Sequence, residues 1–229
     1  MSLDLKQPVL CLVTDRMRLG CADVGDVLRL VRLAVGAGVD LVQLRERDLN
    51  DRAFSDLVRQ AVEETQGSQT QVIVNDRMDI ALSCGAAGLH LRGDSVPTKK
   101  VRAHVPADWI IGRSVHSLAE ARTAVSEAEL DYVVLGSVFK TMSKPGKRPV
   151  GLTALSEVAA ALPIPVLGIG GITLERVELV AAAGAGGLAA IGLFAGLSKV
   201  SLHEFRSVVT NMRKRWRSTT PLKSVTFVK

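Results

Sequence analysis

The chain has 229 residues, 47% hydrophobic and 3% aromatic, with a formal net charge of +6. That length suits one α/β barrel, although two smaller domains are open on length alone, and the apolar share supports a sizeable core of Val, Ile, Leu and Ala. The charge does not argue for a nucleic-acid or membrane partner, because six basic residues and no acid fall in 211–229, which leaves 23 basic against 23 acidic residues elsewhere. Such a basic tail reads as solvated.

Val9–Thr14 reads as a first strand, and a polar loop follows from Asp15. Asp23 or Asp26 caps a helix to about Val35, with Val27, Leu30, Val31 and Ala34 at helical spacing and Gly36 and Gly38 at its end. Val39–Arg45 is the second strand, and Asn50 or Asp51 caps a helix bearing Phe54, Leu57, Val58 and Ala61. Val72–Val74 and Gly88–Leu91 are strands three and four, with a helix between them to Leu82. Pro97 opens a poorly marked helix to about Val105. Trp109–Gly112 is strand five, Ser117 caps the next helix, and Asp131–Leu135 is strand six. A helix to Leu162, strand Val166–Ile169, helix Leu174–Ala183, strand Leu188–Ile191 and a last helix from about Leu202 to Trp216 complete the series. Eight strand–helix units with no linker imply a parallel sheet and a single TIM (β/α)8 barrel over about 9–210, followed by the tail 211–229.

Cys11, Cys21 and Cys84 form no C-x-x-C and no metal spacing, so they read as reduced thiols in a cytoplasmic protein. Met1–Pro8 has no apolar run of the secretory kind. Leu179–Ser198 carries no charge over 20 residues, but its five glycines divide it into helix end, loop, strand and loop rather than a membrane span. Strands seven and eight each end in glycine before a helical pattern, at Gly168–Gly171 and Gly192. Glycine lets backbone N–H groups approach an anion, and barrels often hold phosphate on the loops after these two strands. Polar residues at the other strand ends line the same mouth: Gln43, Arg45, Arg47, Asn75, Asp76, His90, Ser114, His116, Lys140, Thr141, Ser143, Lys144 and Lys147. Rich in cations and poor in carboxylates, this mouth suits a small phosphate ester. His90 reads as structural, and Asp76 as a candidate helix cap.

Q-L-R-E-R-D (Gln43–Asp48), V-N-D-R-M-D-I-A-L (Val74–Leu82), G-L-H-L (Gly88–Leu91), I-I-G-R-S-V-H-S (Ile110–Ser117) and Y-V-V-L-G-S-V-F-K-T-M-S-K (Tyr132–Lys144), together with the G-I-G-G-I turn, resemble the thiamine phosphate synthase/TenI superfamily. The resemblance runs from about Val9 to Phe194 and implies a TIM barrel with a role in thiamin biosynthesis. The superfamily holds two chemistries. Its synthases couple hydroxymethylpyrimidine diphosphate to thiazole phosphate. For them the resemblance implies diphosphate binding at Gln43, Arg45, Asn75, Asp76 and Lys144, with Mg²⁺ on two aspartates. Against the synthase pattern G-V-H-L-G-Q-x-D-L-P this chain reads G-L-H-L-R-G-D-S-V-P, so Ser95 stands where the second aspartate is expected, Asp94 is one residue early, and Arg92 replaces a glycine.

G-R-S-V-H-S, S-K-P-G and Gly151-Leu152 look closer to the TenI branch, which includes thiazole tautomerases. That likeness implies a tautomerase that aromatises a carboxythiazole phosphate without metal or other cofactor. His116 would transfer the proton while Arg45 and Lys144 stabilise the developing charge. Substrate and phosphate would lie on Gln43, Arg47, Asn75, Thr141, Ser143, Gly170, Gly171, Ile191 and Gly192. The alternatives are a synthase using Mg²⁺ on Asp76 and Asp94, and a non-catalytic regulator that binds a phosphate ligand. The expected partner is a small-molecule thiazole phosphate, and a homo-oligomer is left open.

Overall fold

The computed structural model describes residues 8–127, 129–141, 146 and 148–219. In chain order these form β1 (Val9–Val13), α1 (Arg16–Leu19), α2 (Val24–Ala37), β2 (Leu41–Leu44), α3 (Asp51–Thr65), β3 (Gln71–Asn75), α4 (Met78–Ser83) and β4 (Gly88–Leu91). There follow α5 (Thr98–Arg102), β5 (Ile110–Val115), α6 (Leu118–Glu127), β6 (Tyr132–Gly136), α7 (Gly151–Ala161), β7 (Val166–Ile169), α8 (Val177–Ala182), β8 (Gly187–Ala190) and α9 (Leu202–Thr219). The strands pair in parallel in sequence order, and β8 closes on β1 from Val9 opposite Gly187 to Leu12 opposite Ala190. The expected TIM barrel is therefore present.

The strands are nearly continuous apolar runs because both faces are covered. Alternate residues divide between two cores. Val9, Cys11, Val13, Leu41, Ile73, Ile110, Tyr132, Val134, Leu167 and Ala189 pack inside the barrel. Leu10, Leu12, Val42, Leu44, Leu89, Val133 and Leu188 face outward into the larger core shared with the helices. The three cysteines are free and buried.

Local signals set most boundaries. Asp23 caps α2 by accepting the Asp26 N–H at 3.0 Å, and Asp26 accepts the Ala22 N–H at 2.8 Å in return. Asn50 caps α3 through the Ala53 N–H at 2.9 Å. Among the boundaries that differ from expectation, three change the reading most. The loop after Asp15 contains the one-turn α1, which Asp15 caps and left-handed Gly20 closes. Strand β5 continues through Val115 rather than ending at Gly112, which puts Ser114 inside the sheet. The supposed tail begins as helix, since α9 runs to Thr219 and buries Phe205, Val209, Met212 and Trp216. Arg213 anchors it by donating to Asp40 Oδ2 at 2.9 Å, Gly38 O at 2.7 Å and Pro8 O at 3.1 Å. Part of the basic excess is thus structural, while Lys223 and Lys229 lie outside the described residues.

No helix among the described residues is long and apolar enough to cross a membrane. Leu179–Ser198 divides among α8, β8 and two short 3-10 turns, as its glycines suggest.

Candidate active site at the barrel mouth

Strand alternation lifts a polar layer above the apolar barrel floor. Gln43 follows Leu41 on the inner face of β2, Asn75 follows Ile73 on β3, and Ser114 follows Gly112 on β5. Gln43 is buried, while Asn75 and Ser114 are half-buried toward the mouth. Below them His90 is enclosed. Its ring nitrogens meet the Tyr132 hydroxyl at 3.1 Å and Ser114 Oγ at 2.8 Å. Burial, reinforced by the Arg113 and Arg45 charges, pulls its pKa down to about 3, so the imidazole is neutral.

The β2–β4 side of the mouth is cationic. Arg45 leaves the end of β2 with its N–H on Thr14 Oγ1 at 3.0 Å and its guanidinium on Asp15 Oδ2 at 2.9 Å. Its anchor is therefore the carboxylate after β1, not Glu46 or Asp76. Glu46 turns the other way, accepts the Arg16 N–H at 2.9 Å and is buried. Arg47 is exposed, and partial burial followed by the nearby charges of Arg45 and Arg92 holds its pKa below the usual arginine range. That mutual repulsion is what a bound polyanion would relieve.

Asp76 carries a left-handed backbone, with φ of 63°. Few residues other than glycine adopt this conformation without surrounding support. The support comes from β4 and its loop. The Asp76 N–H donates to His90 O at 3.0 Å, and its carboxylate accepts from the Ser95 hydroxyl while facing Arg92 Nη1 at 3.6 Å. Asp76 does not cap α4, whose start has no side-chain cap. Arg92 also takes Asp94, at 2.5 Å. Arg113 clamps the same loop by donating to Gly93 O at 3.0 Å, Ser95 O at 3.1 Å and Val96 O at 3.0 Å. These residues do not fit a two-carboxylate Mg²⁺ site. A hydroxyl donor and a guanidinium face Asp76, and Asp94 is drawn to the same guanidinium, where a dication requires converging oxygen acceptors.

The opposite side is built from backbone. Gly170 and Gly171 have φ of 98° and 65°. A Cβ on Gly171 would lie 2.4 Å from Lys140 O, and one on Gly170 would lie 2.6 Å from the Ser137 Cβ. The loop after β6 therefore packs directly on the turn after β7. Both carbonyls are used internally, Gly170 O by the Phe139 N–H at 3.0 Å and Gly171 O by Arg176 Nη1 at 2.6 Å. The turn thus offers donors rather than acceptors to a ligand. Arg176 also stacks over Phe139, 4.7 Å from the ring centroid. After β8, Gly192 starts a 3-10 turn behind Ile191, and a Cβ there would meet nothing within 4 Å. Two nearby N–H-bearing turns with space above one of them suit a phosphate.

Gln43, Arg45, Arg47, Asn75, Gly170, Gly171, Ile191 and Gly192 thus all belong to the strand ends or loops of the β/α face, as expected. Thr141 is half-buried beside them, while Ser143 and Lys144 lie outside the described residues. His116 is exposed just past β5, with its N–H and Nδ1 on Glu120 Oε2 at 2.8 and 3.3 Å. Ser114 was named at the mouth without a role, and the structure sets it on the inner face of β5. The period-two spacing from Gly112 was the available signal, obscured by ending strand five too early.

The thiamine monophosphate synthase family model matches residues 10–194. A thiamine-phosphate synthase of Methanoculleus marisnigri is 43% identical over 176 residues, covering 75% of this chain and 82% of that protein. Another, of Moorella thermoacetica, is 39% identical over 189 residues, covering 81% and 90%. The solved thiamine phosphate pyrophosphorylase from Pyrococcus furiosus superposes with a TM-score of 0.76 at 28% identity, covering 93% of this chain and 96% of that one. These relatives overturn the expectation of a TenI-type tautomerase. The short G-R-S-V-H-S and S-K-P-G likenesses are outweighed by similarity to synthases along most of the chain, and the proton-transfer role of His116 falls with the tautomerase. The chain belongs to the thiamine monophosphate synthase family.

Proposed function

We propose that the protein couples hydroxymethylpyrimidine diphosphate to thiazole phosphate, forming thiamine phosphate and releasing diphosphate. The observation that carries this reading is a mouth with two unlike anion-binding sides. Glycine turns after β7 and β8 suit a monophosphate, and the Arg45, Arg47 and Arg92 cluster suits a diphosphate. In the coupling, the thiazole nitrogen attacks the pyrimidine methylene carbon as the C–O bond to diphosphate breaks. The leaving group takes the electron pair, and no proton need move. Charge neutralisation is the main electrostatic demand, and fixed cations aimed at the departing oxygens meet it. Here those cations are guanidinium groups, since the residues around Asp76 do not match the two-aspartate metal set. Lys144 joins them on the strength of the family resemblance.

Purified protein given both substrates should release diphosphate and yield thiamine phosphate, detected by mass spectrometry. Binding of thiazole phosphate with no coupling, with or without Mg²⁺, would favour a non-catalytic binding protein instead.

A further inference from the structure

The barrel interior holds one buried polar chain that phosphate binding does not explain. His90 on β4, Gly112 on β5 and Tyr132 on β6 lie side by side in register. A Cβ on Gly112 would lie 2.1 Å from Tyr132 Cζ, so only glycine lets the two rings meet across β5. They stack with centroids 5.7 Å apart and planes 28° from parallel. Two polar side chains inside an apolar core are costly unless their hydrogen bonds are complete.

That requirement sets the direction of the chain. The Tyr132 hydroxyl is wholly buried, and among the described residues its hydrogen-bond partner is His90 Nδ1, at 3.1 Å. Were Nδ1 to carry the proton, the hydroxyl hydrogen would have no acceptor. The satisfied arrangement has Tyr132 O–H donating to Nδ1 and Nε2–H donating to Ser114 Oγ at 2.8 Å. Ser114 Oγ, accepting from below, does not spend its own hydrogen on His90 and keeps it for a partner at the mouth. Neutrality of the imidazole, pulled down to about pKa 3 by burial and by Arg113 and Arg45, keeps one nitrogen an acceptor at any working pH.

We infer that Tyr132 and His90 are positioning residues that fix the His90 tautomer, so that the Ser114 hydroxyl is a committed hydrogen-bond donor to an anionic substrate group. This rests on the proposed coupling only for the identity of the anion. A serine free to rotate would donate or accept equally. One held from beneath resembles the preorganised donors that stabilise developing negative charge.

The test uses the full-length protein with ¹⁵N-labelled histidine and, separately, calorimetric titration with inorganic diphosphate. The ¹⁵N shifts should show His90 as the Nε2–H tautomer from pH 5 to 8. Ser114→Ala should weaken diphosphate about tenfold, as for one hydrogen bond to a charged group. Tyr132→Phe, which keeps the ring that packs on Gly112, should weaken it about threefold. The double variant should be no weaker than Ser114→Ala alone, because Tyr132 acts only through Ser114. An Nδ1–H tautomer, additive losses, or undiminished diphosphate binding by Ser114→Ala or Tyr132→Phe would overturn the inference. Absent coupling with this tautomer and binding pattern intact would instead remove the proposed reaction and leave the inference standing.

Discussion

The two sides of the mouth are built by different means. On the β7–β8 side the lining is main-chain turns, and glycine is required at Gly170 and Gly171 by positive φ and by the loop packed against them. On the β2–β4 side the lining is side chains, each held by a neighbouring carboxylate or backbone group: Arg45 by Asp15, Arg92 by Asp94 and Asp76, Arg113 by the loop carbonyls. A backbone cradle resists changes of charge but not of volume. A guanidinium cluster has the opposite sensitivity.

Substitutions at the extremes should expose that contrast. Arg45→Gln should lower kcat/KM for the pyrimidine diphosphate about a hundredfold in steady-state kinetics, the loss of one desolvated cation from a charged transition state. Its effect on thiazole phosphate affinity should be slight. Equal losses for both substrates would erase the distinction between the sides. Gly171→Ala should instead cost about 2–3 kcal/mol in denaturant unfolding, from positive φ and the Lys140 O clash together. Gly192→Ala has the opposite expectation. With nothing within 4 Å of the added Cβ, stability should hold within about 0.5 kcal/mol. Thiazole phosphate should then bind about tenfold more weakly, because the methyl occupies ligand space. Full affinity for thiazole phosphate in that variant would place the phosphate elsewhere.

On the cationic side, Ser95→Asp combined with Arg92→Gly should raise Mg²⁺ affinity about tenfold by calorimetry, since it restores a second oxygen ligand beside Asp76 and removes the competing cation. Unchanged Mg²⁺ affinity would mean that the Asp76 loop geometry, not ligand identity, limits metal binding.

The floor beneath both sides is read through pH instead of through a ligand. Because His90 titrates near 3 when folded but near 6.5 when unfolded, the unfolded chain takes up a proton first as pH falls. Its contribution is full above pH 6.5 and is lost progressively on acidification toward pH 3. Between pH 6.5 and 5 the loss should be about 1.6 kcal/mol, and a His90→Gln variant should show a flatter acid limb in urea unfolding. Identical limbs would mean that His90 is not buried neutral.

Much of this contrast was readable in the sequence. Glycine at the ends of the last two strands signalled the backbone cradle, because few other roles demand a G-x-G-G turn between apolar runs there. Alternation and caps such as Asp23 and Asn50 marked the eight units. The side-chain half was legible in composition but not in pairing. Nothing local says that Arg45 pairs with Asp15, 30 positions away, or that Ser95 meets Asp76 across two strands. Strand five was cut short because Gly112 resembles a terminator. Its missing side chain instead makes room for Tyr132, a tertiary reason invisible in local pattern. The choice of reaction is not legible in the short motifs around His116, because both branches of the superfamily share the barrel mouth; likeness along most of the chain distinguishes them.

The measurement that bears most directly on two separate anion sides is calorimetric titration of thiazole phosphate into protein already saturated with inorganic diphosphate. Simultaneous binding is expected, with Arg45→Gln weakening only the diphosphate and Gly192→Ala only the thiazole phosphate. Mutual displacement of the two ligands, with both variants weakening both, would contradict it.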